Sequence, residues 1–359
     1  MIARLVDRAL NRTVGASLPP PRPDVAAFHA SLPVVDLLAG TALFRTGFLA
    51  RSRTGHLDLP RARAGGLDLV GLSIATRFPD LDGRLSGPHF RSLGIPTRGR
   101  SDLAIATAFV RRVEGWAAAS GGSLVLARRS EDLASVGSDG CLRLFLGVQG
   151  GQIIGEPGDV ERLRRLGVRM VAPAHVMDSP LAGSSTGRLA GGLTGLGREV
   201  LAEMERLGIL VDLAHASSRT IREAVPRLGR PFLVSHTGFT ALAGRGSRWR
   251  RYAPARRNLS DGDARLVGEA GGLIGVTLAT PLVGGDGLDS VLRAFDHAVG
   301  LVGPGQVALG SDFDGALPMP FDATGLVNLT QALLDAGFGR EIVAGIMGGN
   351  ALRLLQHPT

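Results

Sequence analysis

The chain contains no lysine; all forty of its basic residues are arginine. That habit belongs to base composition, and against 32 acidic residues it leaves a formal charge of +8. There is one cysteine, Cys141, which excludes a disulfide framework and any cysteine-rich zinc site. No apolar run approaches the roughly 20 residues that span a bilayer. Arg4, Asp7, Arg8 and Arg12 break every N-terminal apolar stretch, so no signal-peptide core is expected. The tail Gln356-His357-Pro358-Thr359 carries no hydrophobic anchor signal. A soluble, cytoplasmic protein without a membrane anchor is the expectation.

What is present reads as globular: 44% hydrophobic and 20% charged residues exclude a disordered or fibrous chain. Glycine, 52 of 359 residues, is about twice its average usage and favours many short elements over a few long helices. The tract Arg245, Arg248, Arg250, Arg251, Arg256 and Arg257, with Trp249 and Tyr252 interleaved, reads as a solvated basic loop. Nothing near it resembles a nucleic-acid-binding motif, so no nucleic-acid partner is expected.

Residues 1–27 read as a short N-terminal helix and a Pro-rich linker around Pro19, Pro20 and Pro21. Residues 28–359 then alternate strand-like apolar runs with amphipathic helical stretches, as one domain with loop insertions. The runs are Leu32–Leu38, Leu67–Ala75, Leu142–Gln149, Val168–Ala174, Ile209–His215, Phe232–His236, Leu273–Leu278 and Val307–Asp312. Leu124–Arg128 is a weaker, accessory candidate. Val200, Leu201, Met204 and Leu207 share one helical face that Gly208 terminates. Eight strands with helical crossovers predict an α/β fold, a closed (β/α)8 TIM barrel, with an open doubly wound sheet as the alternative.

In such a barrel, chemistry sits at the C-terminal ends of the strands. The residues found there are Gln149, His175, His215, His236 and Asp312, with Leu38 to Gly40 after the first strand. Burying several ionisable groups together is costly without a task. Two imidazoles and a carboxylate can hold zinc or a similar divalent ion and leave a position for water, whose proton Asp312 could accept. Asp314 has the rival reading of a loop-capping carboxylate, taken first. Asp178 is a candidate substitute ligand, while His56 is read as structural and placed at the opposite end of the barrel.

Several motifs in order carry a family resemblance. They are Gly192 to Val200 followed by Leu207 to His215, Val234-Ser235-His236, Arg256-Arg257-Asn258, Gly310-Ser311-Asp312-Phe313-Asp314-Gly315, and Gly349 to Leu355. Together they resemble the renal (membrane) dipeptidase family, peptidase M19, from about Phe28 onward. The resemblance implies a barrel of the metal-dependent, amidohydrolase type with two zinc ions that hydrolyses dipeptides, commonly as a homodimer. By position, His215 and His236 match the histidines of one zinc, and Asp312 the aspartate that binds the other and handles the proton. His175 matches a histidine that polarises the scissile carbonyl, and Arg257 an arginine that receives the substrate carboxylate.

The remaining ligand positions depart from the family pattern. Where the family has a histidine and an aspartate two apart, this chain has Leu38 and Gly40, and where it has a bridging carboxylate, Gln149. Leucine and glycine offer no lone pair, and a neutral amide is a weak ligand that cannot offset repulsion between two dications. At most one ion is expected, with none as the limiting case. Two functions follow. One is a dipeptidase-like pseudoenzyme that binds a small dipeptide-like or carboxylate-bearing ligand. The other is a mononuclear metal-dependent amide hydrolase using His215, His236 and Asp312, its ion held by the two histidines with Asp312 or the weaker Gln149 completing the shell. Restoring Leu38→His, Gly40→Asp and Gln149→Glu together is expected to return dipeptidase activity.

Overall fold

A computed structural model describes residues 2–77, 86–189, 191–243 and 253–357. Among the described residues there are nine strands: β1 (Val35–Ala39), β2 (Leu69–Ile74), β3 (Leu124–Leu126), β4 (Leu142–Gln149), β5 (Val168–Ala172), β6 (Leu210–Val211), β7 (Leu233–Thr237), β8 (Leu273–Val276) and β9 (Val307–Leu309). All pair in parallel, β1-β2-β4-β5-β6 in one arc and β7-β8-β9 in another. Each of the eight expected runs holds one barrel strand, and the weaker run is β3, which pairs with the first half of β4 from outside the ring.

Single bridges close the arcs, Asp212 to Leu233 at one seam and Ala39 to Phe313 at the other. Leu213 N–H donates to the Leu233 carbonyl at 2.8 Å, and Gly40 N–H to that of Phe313 at 2.7 Å. With so few ladder bonds, each seam is fastened by a buried side-chain pair. Asp212 accepts from Ser235 N at 2.8 Å and Ser235 Oγ at 2.6 Å, and Asp36 accepts from Ser311 N at 2.8 Å and from Ser311 Oγ. The same Asp-to-Ser device is thus used twice. The barrel interior is filled by Val35, Leu37, Leu69, Phe145, Met170, Leu233 and Leu273, a packed floor that leaves only the mouth for chemistry.

At the site β6 and β9 stop short of the predicted runs, ending at Val211 and Leu309. His215 and Asp312 have φ of 63° and 61°, left-handed backbone that ends the extended ladder before either residue. The helical expectations are met more closely. Gly195–Leu207 begins at Thr194, whose side chain accepts from Gly197 N, and buries Val200, Leu201 and Met204. It ends at Gly208, whose φ of 69° a side chain would resist. The N-terminal helix is Ile2–Leu10, and a second helix, Pro23–Ala30, runs across the boundary expected at residue 27.

Candidate functional site

The strand ends converge on a cavity of about 260 Å³ at the barrel mouth. Gln149, His175, His215, His236, Arg257 and Asp312 all line it, so of the residues singled out as ligands or catalytic groups only Asp178 lies outside this space. Gly40 lines it too, while the Leu38 side chain is buried in the packed interior. Arg245, Arg248, Arg250 and Arg251, with Trp249 and Tyr252, lie outside the described residues.

The histidines form a row. The rings of His175 and His215 stand 4.5 Å apart between centroids, and those of His215 and His236 5.0 Å apart, both edge to face. His215 Nε2 and His236 Nε2 face each other at 3.1 Å. Burial, aided by the nearby Arg257 charge, holds all three imidazoles neutral: His175 is pushed down to about 3, and His215 and His236 fall well below their ordinary range. Neutral rings offer lone pairs.

Asp312 is nearly buried, and its carboxylate accepts no hydrogen bond from the described residues. Burial raises it to about 7 despite the opposing pull of Arg257. The half-exposed Arg257 donates from Nη2 to the His236 carbonyl at 3.0 Å, and burial of its guanidinium lowers it to about 10. Ser73 Oγ donates to Gln149 Oε1 at 3.1 Å, which leaves Gln149 Nε2 buried and without a partner. His175 Nδ1 and His215 Nδ1 are likewise buried and unpartnered. The cavity therefore holds one free carboxyl, one guanidinium and several polar atoms that the protein leaves unsatisfied. Leu43, Phe44, Pro281, Leu282 and Leu317 make much of the remaining wall apolar.

A family model described as membrane dipeptidase, peptidase family M19, matches residues 24–358. The chain belongs to the membrane dipeptidase family. Among relatives, dipeptidase aclJ of Aspergillus oryzae is 33% identical over 229 residues, 61% of this chain and 52% of that protein, so the chain spans about half its length. Dipeptidase tcpJ of Claviceps purpurea is 27% identical over 317 residues, 84% of this chain and 69% of the relative. A metallo peptidase of Rhodobacter sphaeroides, solved with a phosphinate mimic of the dipeptide L-Ala-D-Ala, superposes with a TM-score of 0.77 at 25% identity, covering 92% of this chain and 100% of that one. Membership and this neighbour carry an implication of dependence on a divalent metal.

Three readings need correction or completion in this dipeptidase-family barrel. His56 does not lie at the far end of the barrel: its backbone N–H donates to Asp314 Oδ1 at 2.6 Å, and its Nδ1 accepts from Asp314 N at 3.1 Å, beside the mouth. It belongs to the loop that leaves β1, and loops after a strand sit at the C-terminal face. Asp178 is no substitute ligand, since it accepts from Ser184 N at 2.8 Å and Leu189 N at 2.9 Å and ties its own loop. Asp314 has the structural role: fully buried, it takes Arg45 Nη2 at 2.6 Å and Thr41 Oγ1 at 2.7 Å. Sequence reasoning missed Ser73, which the two-residue period of β2 could have placed on the inward face, and the apolar wall from the loops, which had no such signal.

Gly40 shows how closely the mouth is packed. A Cβ added there would lie 2.5 Å from the Asp314 carbonyl oxygen and 3.0 Å from its carbon. The turn from Asp312 to Gly315 has closed over the space a residue-40 side chain needs.

Proposed function

We propose that this protein is a dipeptidase-like pseudoenzyme that binds a small, dipeptide-like or carboxylate-bearing ligand and lacks the family's two-metal hydrolytic centre. The observation that carries the reading is the donor set. Among the described residues, no group of three or more His, Cys, Asp or Glu side chains is arranged to hold a metal ion. Leu38 is packed inward, Gly40 has no side chain, and Gln149 offers one neutral amide, so a pair of dications has neither enough ligands nor a bridging anion.

The ligand class follows from what the cavity leaves open. Arg257 can receive a carboxylate in a two-pronged bond, and Asp312 can take an ammonium or a neutral N–H. The unpartnered Gln149 Nε2, once aimed at an acceptor, suits an amide carbonyl. Neutral His175 can donate or accept at the same wall. The apolar loops would cover the ligand's side chains and exclude water.

One observation favours a second reading, a mononuclear amide hydrolase. The facing Nε2 atoms of His215 and His236 fit a single divalent ion, which when bound would lower the pKa of a water and polarise a carbonyl. In that case Asp312 would hold the proton, His175 would contact the carbonyl oxygen, and Arg257 would fix the carboxylate end. The test is turnover of a dipeptide panel with Zn2+ or Mn2+ titrated in. No turnover alongside measurable dipeptide binding supports the pseudoenzyme; turnover that disappears in His215→Ala replaces it with the hydrolase. We further propose a cytoplasmic location, one domain over residues 28–359 with residues 1–27 as its extension, and a homodimer as family members form. No helix among the described residues is long and apolar enough to cross a membrane.

A further inference from the structure

We propose that Asp212 and Ser235 are positioning residues for His236, a proton-ordered relay that presents its Nε2 lone pair to the cavity. The direction of each bond follows from donor counting. Asp212 Oδ1 accepts two backbone N–H groups, from Ser235 at 2.8 Å and Ala214 at 2.9 Å. Its Oδ2 faces Ser235 Oγ at 2.6 Å, and a carboxylate can only accept, so the single hydroxyl proton points to Asp212. Ser235 Oγ must then act as acceptor toward His236 Nδ1, 2.8 Å away. Nδ1 therefore carries the ring proton and Nε2 is bare. Across the 3.1 Å gap, His215 Nε2 is the donor when nothing else lies between the rings, and its own Nδ1 has no partner. Of the two facing imidazoles, His236 is thus fixed by an outer shell and His215 is not.

The twin seam provides the control. Asp36 and Ser311 repeat the same bonds between β1 and β9, yet the residue after Ser311 is Asp312, with no ring nitrogen to orient. A purely seam-fastening role predicts similar consequences for the two serines. The relay predicts that only Ser235 controls a tautomer.

The inference deepens the one-ion reading of the same site, but its principal readout needs no metal, so the two can fail separately. The experiment is 15N NMR of the full chain labelled at histidine, with Co2+ as a binding probe. In the unsubstituted protein His236 is expected in the Nδ1–H form. Ser235→Ala removes the acceptor and should lose that preference, whereas Ser311→Ala should keep it. Asp212→Asn gives a sharper result. Its Oδ1 stays with the two backbone donors, so its NH2 replaces Oδ2 and donates to Ser235 Oγ. The hydroxyl turns round to donate to Nδ1, and His236 switches to the Nε2–H form. Where Co2+ binds, Ser235→Ala should weaken it roughly 10- to 100-fold, the range for lost outer-shell partners, and Ser311→Ala by less than about threefold. An Nε2–H form in the unsubstituted protein, or a His236 tautomer that ignores Asp212→Asn, overturns the proposal. So does Ser311→Ala moving the tautomer as far as Ser235→Ala. If Ser235→Ala does not fold, Asp212→Asn and Ser311→Ala decide the matter.

Discussion

Gly40→Ala is the substitution that most directly probes how the mouth is built. Gly40 sits at φ −87° and ψ 5°, a conformation alanine accepts, so the backbone itself raises no objection. In open space the change would stabilise by about 0.4–1 kcal/mol, by restricting the unfolded chain. The new Cβ, however, lies 2.5 Å from a backbone carbonyl oxygen and 3.1 Å from the Gly315 Cα, atoms that cannot swing away as a side-chain tip can. Overpacking of that kind costs roughly 1–3 kcal/mol, so a net loss of about 1–2 kcal/mol is expected. Gly115 is the control: it lies inside the helix Asp102–Ala118 with nothing within 4 Å of an added Cβ, and Gly115→Ala should stabilise by about 0.5–1 kcal/mol. Chemical denaturation of both variants measures the difference. Equal or greater stability for Gly40→Ala would refute the closed turn. The same contact revises the sequence expectation about reversion, because Gly40→Asp must first push the Asp312–Gly315 turn aside. The triple variant should therefore be unstable and regain little activity, as urea midpoints and dipeptide turnover will show.

Three further outcomes are expected. Asp314→Asn removes the carboxylate that pairs with buried Arg45, and should destabilise by about 3 kcal/mol in denaturant titrations, as for broken buried ion pairs. Burial pushes the Asp314 carboxyl up, but Arg45 and the bonds from His56 outweigh it and hold the group below its ordinary range, so its contribution is present above the unfolded carboxyl pKa of about 3.9 and is lost as pH falls from there. Acid denaturation should show that stability declining with falling pH in the unsubstituted protein, and a shallower decline in Asp314→Asn. Arg257→Ala should weaken calorimetric binding of a dipeptide by about 1.5–3 kcal/mol, with little change for the same dipeptide amidated at its C-terminus.

The barrel was legible because buried parallel strands leave continuous apolar runs, and the runs around Val35, Val70, Leu144, Val171, Val234 and Ile274 each became a strand. The site was legible for a related reason: polar residues that end such runs must face the mouth, as Gln149, His236 and Asp312 do. What stayed hidden depends on contacts between segments far apart in sequence. His56 reaches Asp314 across 258 positions, and Asp36 reaches Ser311 across 275. No local pattern encodes either pairing. The ends of β6 and β9 were overrun because left-handed backbone at His215 and Asp312 leaves no mark in hydropathy. Gly40 read as a missing ligand, and only its surroundings show that the turn has taken the vacated space.

The measurement that reaches the central claim is a count of tightly bound divalent ions per chain. Equilibrium dialysis against Zn2+, followed by elemental analysis, gives it for the full protein and for His215→Ala. The donor set at the mouth predicts at most one ion, lost in His215→Ala. Two ions held per chain beside Gln149 would contradict the account and return the protein to two-metal dipeptide hydrolysis.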